Sequence, residues 1–225
     1  VQIGPYQIVN EVGRGGCGVV YRARSPDGGD VAVKMMLASG SGSARQRFER
    51  ERRLLAALAD AEGFVPLLDA GDTTQGHAYI VMPFVPGGSL RDRLDKGAME
   101  VGAAVDLAKQ LARAIAAAHA HGIVHRDLKP ENVLFDGGGR PLVADLGLAK
   151  HFRTGDPGAS ASVALSKTGE MRGTIGYMAP EQLDHAKDAG PPCDVFALGA
   201  ILYECLAGQP AFDGDNVHTV LAKVS

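Results

Sequence analysis

Between Tyr6 and Val33 the apolar residues fall in short runs, Tyr6-Gln7-Ile8-Val9, Val19-Val20-Tyr21 and Val31-Ala32-Val33, separated by a glycine-rich stretch and a Pro-Asp-Gly turn. Runs of this length, punctuated by Gly and Pro, predict strands joined by hairpins, so the chain opens as a small antiparallel sheet. Residues 38–44 hold only Gly and Ser apart from Ala38 and Ala44, which predicts a flexible connector. From Arg45 to Leu58 the period changes to that of a helix, with Phe48, Leu55 and Leu58 sharing a face. At 100° per residue Glu51 falls within that apolar stripe while Glu49 points away, and an acid aimed inward needs a cationic partner.

Val65–Leu68 and Tyr79–Met82 read as two further strands, after which Pro83–Gly88 places two prolines and two glycines in six residues, a hinge. Val101–His121 is an Ala-rich helix whose buried face is expected along Val105, Ala108, Leu111, Ala112, Ile115 and His119, closed by Gly122. Pro141–Ala144 is strand-like, Thr154–Thr168 lacks large apolar residues and should be mobile unless a charge ties it down, and a last helix should begin near Asn216. No repeat of a solenoid period is visible.

Composition narrows the classes. The chain has 225 residues, 45% apolar and 22% charged, enough for a core. No apolar run approaches the ~18 residues of a membrane span, and no secretory leader is visible, so a soluble, cytoplasmic segment without membrane contact of its own is expected, with a membrane anchor beyond residue 225 left open. A net charge of −3 argues against nucleic acid as partner. Three cysteines, Cys17, Cys193 and Cys205, are an odd number without metal-ligand spacing, which disfavours a disulfide framework. His119, His121 and His125 are scattered over helix, helix end and loop, a poor metal site.

The chemistry sits in a few strings. Gly13, Gly15 and Gly18 in Val12-Gly13-Arg14-Gly15-Gly16-Cys17-Gly18 would let backbone N–H groups approach phosphate oxygens. Such a pattern also occurs in ordinary turns, and a dinucleotide site would need it to open a helix, whereas here it leads into a strand. Lys34 ends the Val31-Ala32-Val33 strand, where its charge could meet both a phosphate and Glu51. His125-Arg126-Asp127-Leu128-Lys129-Pro130-Glu131-Asn132, followed by Asp145-Leu146-Gly147, supplies a carboxylate to orient a hydroxyl and two oxygen donors for Mg²⁺.

With Ala179-Pro180-Glu181 in the same order, these motifs make the whole chain resemble the protein kinase family, in its bacterial serine/threonine branch. The resemblance implies an α+β bilobal fold, with an antiparallel N-lobe (1–82) bearing one helix, a hinge (83–88) and a mainly helical C-lobe (89–225) expected to lack its last helices. It implies transfer of the ATP γ-phosphate to Ser/Thr hydroxyls of proteins. Lys34, paired with Glu51, would hold the α- and β-phosphates; Asp127 would orient the acceptor; Lys129 would stabilise the moving phosphoryl group. Asn132 and Asp145 would hold Mg²⁺, with Mn²⁺ as the alternative ion. The loop Gly13, Arg14, Gly15, Gly16, Cys17 and Gly18 would cover the phosphates. Val12, Val20, Ala32 and Leu134, equally explained as core, would wall the adenine pocket behind Met82, with Phe84 and the Val85 N–H at the hinge.

By the same resemblance Thr168 and then Ser166 are the phosphorylation candidates, with Arg126 placed to pair with the phosphate. Thr174 would bond Asp127 and Lys129 on the substrate side, and Asp194 would brace the catalytic loop from a buried helix. Pro83 stands where an acidic residue is usual, and Leu146 where Phe is common. A homodimer formed on activation is a candidate partner state. A pseudokinase or ATP-binding scaffold, and a small-molecule phosphotransferase of related fold, remain the alternatives, although Lys34, Asp127 and Asp145 are all present and so is the Ala179-Pro180-Glu181 segment.

Overall fold

Alternation of side chains builds the first sheet. The computed structural model describes residues 1–15, 18–36, 58, 63–145, 175–185 and 189–225. Six antiparallel strands, β1 (Gln2–Ile3), β2 (Tyr6–Gly15), β3 (Gly18–Arg24), β4 (Asp30–Met36), β5 (Asp69–Asp72) and β6 (Ala78–Pro83), lie in the order β1-β2-β3-β4-β6-β5. The register sets Tyr21 opposite Val33 and Val33 opposite Val81 on one face, and Val20 opposite Lys34 and Lys34 opposite Ile80 on the other. Because side chains alternate along each strand, Val31, Val33, Ala23, Tyr79 and Val81 form one apolar cluster with Ile3 and Tyr6. Ala32, Met82 and Lys34 consequently share the opposite face.

The Pro26-Asp27-Gly28 turn closes β3 onto β4: Gly28 has φ +88° and donates to the Ser25 carbonyl at 2.9 Å. Two edge strands differ from expectation. β1 is too short to leave a periodic signal. The apolar run Val65–Leu68 precedes the strand it was expected to form, which is instead the polar Asp69–Asp72. Pro66 has no N–H for the ladder, and β5 lies at the sheet edge, paired only with β6, where an apolar alternation is not required.

In the second unit α1 (Leu90–Leu94) was not foreseen, although Ser89-Leu90-Arg91-Asp92 is a capping box: the Asp92 N–H donates to Ser89 Oγ at 3.2 Å and the Ser89 N–H to Asp92 Oδ2 at 2.7 Å. A Cβ at Gly87 would meet the Phe135 carbonyl oxygen at 2.3 Å, so only glycine admits the pairing of Gly87 and Gly88 with Phe135 that feeds this helix. α2 (Val101–Ala120) is the predicted long helix, with a displaced face. It buries Ala104, Leu107, Leu111, Ala114, Ile115 and Ala118, whereas Val105 is 36% exposed and Ala112 lies on the surface. Alanine scarcely distinguishes one face from another, so Leu107, Leu111 and Ile115 decide the rotation.

A 3₁₀ turn (Pro130–Asn132) leads into β7 (Val133–Phe135), which pairs with β8 (Pro141–Val143); α3 (Pro180–His185), α4 (Pro192–Ala207) and α5 (Val217–Val224) follow. α4 has Pro192 in its first turn and ends at Gly208 with φ +70°. Asn216 caps α5 by accepting the Thr219 N–H at 3.0 Å. Cys193 and Cys205 are buried, as core cysteines should be.

Backbone proximity gathers 1–15, 18–36, 58 and 65–86 into one compact unit and 63–64, 87–145, 175–185 and 189–225 into a second. The first is the antiparallel sheet and the second is mainly helical, an α+β architecture. Among the described residues no helix is long and apolar enough to cross a membrane.

Candidate active site

In the sheet unit the glycine-rich hairpin is formed by β2 and β3, with Gly13 opposite Val20, Arg14 opposite Val19 and Gly15 opposite Gly18; Gly16 and Cys17 lie outside the described residues. Arg14 forms an exposed pair with Glu11 at 2.7 Å, and Val12 is 52% exposed beside a register shift of β2. Lys34 is 6% exposed on the face that carries Val20, Ala32 and Met82, a placement that costs free energy for an ammonium unless charge or hydrogen bonds meet it. Glu51 lies outside the described residues. Past β6, the Phe84 N–H donates to the Asp30 carbonyl at 3.3 Å, and the Arg22 guanidinium lies 4.7 Å above the Phe84 ring while pairing with Asp30 at 2.5 Å. The segment leading to Val85 is thereby held at its backbone and over its ring.

In the helical unit the loop His125–Asn132 holds the candidate catalytic residues. Arg126 and Asp145, with φ +63° and +60°, are the non-glycine residues with left-handed backbone among those described. Such conformations cost about 1–3 kcal/mol each and persist only where surrounding bonds hold them. For Arg126 those bonds are visible. Asp194, 1% exposed on α4, accepts the His125 N–H at 2.9 Å and the Arg126 N–H at 2.8 Å, and its Oδ2 lies 2.7 Å from His119 Nε2. Gln182 on α3 donates to the Arg126 carbonyl at 2.8 Å. The turn is fixed at both ends of one residue, which directs the next, Asp127.

His125 is fully buried, and its tautomer follows from its partners. Nδ1 accepts the Asp127 N–H at 3.2 Å, so the proton sits on Nε2 and is donated to the Ala144 carbonyl at 3.0 Å. Burial holds the imidazole below its ordinary pKa despite the opposing pull of the Asp194, Asp127 and Asp145 carboxylates. A base with a depressed folded pKa contributes its stability in full above the unfolded value near 6.5 and loses it as the pH falls below that, by up to about 1.4 kcal/mol per pH unit. The melting temperature should therefore drop between pH 7 and 5 more steeply for the wild type than for His125→Gln, and parallel curves would refute this assignment.

Around Asp127 the groups converge. Lys129 Nζ lies 3.6 Å from Asp127 Oδ2. Asn132, 6% exposed, donates its Nδ2 to the Asp127 carbonyl at 2.7 Å and to Oδ2 at 3.3 Å, which leaves its amide oxygen as the other end of the side chain. The Asn132 carbonyl accepts the Ala144 N–H at 2.8 Å, which brings the following residue, Asp145, beside it. Leu134 is half-buried in β7. Leu146, Ser166, Thr168 and Thr174 lie outside the described residues.

Some residues of this unit escaped the sequence reading. Gln182 gave no signal, being one polar residue in a short helix. Glu204 did give one. It occupies the stripe Ala197, Ala200, Ile201 of α4, the same inward-acid pattern that singled out Glu51, and it is 2% exposed.

Comparison with known proteins identifies the family. Residues 6–224 match the protein kinase domain family. The chain is 36% identical over 225 residues to the serine/threonine-protein kinase PknD of Mycobacterium tuberculosis, covering 98% of this chain and 32% of that protein. It is 39% identical over 218 residues to the serine/threonine-protein kinase pkn2 of Myxococcus xanthus, covering 94% of this chain and 25% of that one. A third relative is the DNA damage-responsive serine/threonine-protein kinase RqkA of Deinococcus radiodurans, 38% identical over 224 residues, 97% of this chain and 32% of the relative. The chain belongs to the protein kinase domain family, and it spans a quarter to a third of the length of these relatives.

Proposed function

We propose that this chain is a serine/threonine protein kinase domain that transfers the γ-phosphoryl group of ATP to Ser and Thr hydroxyls of proteins. The observation that carries the reading is the loop His125–Asn132, in which a strained Arg126 is pinned by Asp194 and Gln182 while Lys129 and Asn132 close on Asp127. A solvated surface turn has no need of a buried carboxylate beneath a left-handed residue.

In this reading Asp127 accepts the proton of the acceptor hydroxyl and aims its oxygen in line with the phosphoryl group. Lys129, beside it, neutralises charge on the transferring group. Lys34, paired with Glu51, holds the α- and β-phosphates, and the backbone of residues 13–18 covers them. Val12, Val20, Ala32, Met82 and Leu134 wall the adenine, with the Val85 N–H reading its edge. The donor set fits a divalent cation: Asn132 offers an amide oxygen and Asp145 a carboxylate, hard ligands of the kind Mg²⁺ and Mn²⁺ take. Asn132 and Asp145 would hold such an ion, which would supply positive charge to offset that of the phosphates. Thr168 and Ser166 are the proposed sites of autophosphorylation, with Arg126 as the partner of the new phosphate, and Thr174 orients the acceptor side. We place the reaction in the cytoplasm, where ATP and Mg²⁺ are abundant, and a homodimer formed on activation belongs to the same reading.

Incubation with Mg²⁺ and γ-labelled ATP, followed by mass spectrometry of residues 154–174, tests it. Label on Thr168 or Ser166, absent from Asp127→Asn, is the expected result, with an initial rate that rises faster than in proportion to protein concentration if two copies react. A folded wild type that binds Mg-ATP and labels neither itself nor a general protein acceptor would overturn the reading in favour of a scaffold.

A further inference from the structure

Arg91, on α1, sits in no string that the phosphotransfer chemistry uses, yet it joins four segments of the helical unit. Its Nη1 donates to Glu204 Oε1 at 2.7 Å and its Nη2 to Glu204 Oε2 at 3.4 Å, a two-armed grip on a carboxylate buried in α4. The same Nη2 lies 2.8 Å from the Tyr177 hydroxyl, which in turn donates to Glu204 Oε2. On the remaining edge of the guanidinium, Nε donates to Glu131 Oε1 at 3.1 Å, in the turn that ends in Asn132. Asp95, at 3.8 Å, is an outer neighbour.

Geometry separates this set from an ordinary surface ion pair. Glu204 is 2% exposed and Tyr177 5% exposed, whereas the Arg91 side chain is 26% exposed. The buried members are thus on α4 and on the segment that runs from Ile175 into Ala179-Pro180-Glu181, and Arg91 ties both to the turn carrying Glu131 and Asn132. A planar guanidinium can face three acceptors in one plane from a single rotamer; a lysine ammonium in the same place could hold the Glu204 charge but could not keep the Tyr177 and Glu131 directions together.

We infer that Arg91 is a positioning residue for the protein substrate, holding the Ile175–Met178 segment in register with the Glu131–Asn132 turn through Tyr177 and Glu204. This rests on the phosphotransfer function proposed above, because it assigns the Ile175–Met178 segment to the side where an acceptor peptide docks. Arg91 touches neither nucleotide nor reacting atoms. Its loss should appear in how well the peptide is held, with the chemical step and the nucleotide left nearly as they were.

The test is steady-state kinetics on the full chain with a Ser/Thr peptide or general protein acceptor. Arg91→Lys keeps a charge beside Glu204 and should fold; its KM for the acceptor should rise about tenfold, the worth of one charge-assisted hydrogen bond, while kcat and the KM for ATP stay within about twofold. Tyr177→Phe should move the acceptor KM in the same direction. Arg91→Met alone strands a buried carboxylate, so the paired variant Arg91→Met with Glu204→Gln removes both charges and separates stability from positioning. With its melting temperature restored, the pair should retain the raised acceptor KM. A folded pair, or a folded Arg91→Lys, with the wild-type acceptor KM overturns the inference while leaving the phosphotransfer function intact. A wild type without transfer activity overturns both.

Discussion

Asp127→Asn is expected to slow phosphoryl transfer by roughly 10²–10⁴-fold while leaving the fold and ATP binding in place. The substitution is nearly isosteric. The main-chain carbonyl of residue 127 still accepts the Asn132 amide at 2.7 Å, and the His125 Nδ1 still accepts its N–H at 3.2 Å, so the loop keeps two of its ties. What disappears is the carboxylate proposed above to take the hydroxyl proton, together with the negative charge facing Lys129 at 3.6 Å. A kcat at least a hundredfold down, with ATP affinity within about threefold of wild type by calorimetry, is the expected pattern. Equal loss of kcat and of nucleotide affinity would mean that Asp127 acts through the fold.

Asp194→Ala should instead be felt as instability. Its carboxylate accepts two backbone N–H groups and meets His119, all beneath a residue already in left-handed backbone. Removing it leaves those donors buried without an acceptor at about 1–3 kcal/mol each, and releases the constraint on Arg126. A total of about 3–5 kcal/mol is a large part of the ~5–15 kcal/mol by which a domain is stable. The melting temperature should fall by roughly 6 °C or more. Asp194→Asn keeps one acceptor and should lie between the two, with activity recovering less than stability because the amide nitrogen faces a donor. Wild-type thermal stability in Asp194→Ala would contradict the bracing role.

How much of this was visible in the sequence depends on how far apart the cooperating residues lie. His125–Asn132 could be read because its functional groups are neighbours in the chain and their order is dictated by one loop. Lys34 could be read only in combination with the glycine loop and the predicted inward-facing Glu51, since a lone strand lysine is ordinarily a solvated edge group, and the hairpins declared themselves through Gly and Pro. The buried face of α2 was misplaced because alanine carries little directional information, and β5 was displaced because an edge strand can be polar. Arg91 and Glu204 are 113 residues apart. Nothing local to Arg91 marks it, since an arginine in a short helix reads as a solvated charge; only Glu204, an acid in an apolar stripe, announced that it required a partner.

The left-handed backbone at residues 126 and 145 carries a consequence for descent. A copy of this domain still selected for the proposed phosphoryl transfer would, on that reading, keep an arginine and an aspartate where glycine or asparagine would sit with less strain. A duplicated copy released from that selection gains stability from drifting toward those residues, while the carboxylate at 194 is still needed by the main-chain N–H groups of residues 125 and 126, whatever side chain stands at 126. Glycine or asparagine at 126 and 145, with the aspartate at 194 retained, is the trace by which a lineage that kept the fold and gave up the reaction could be recognised.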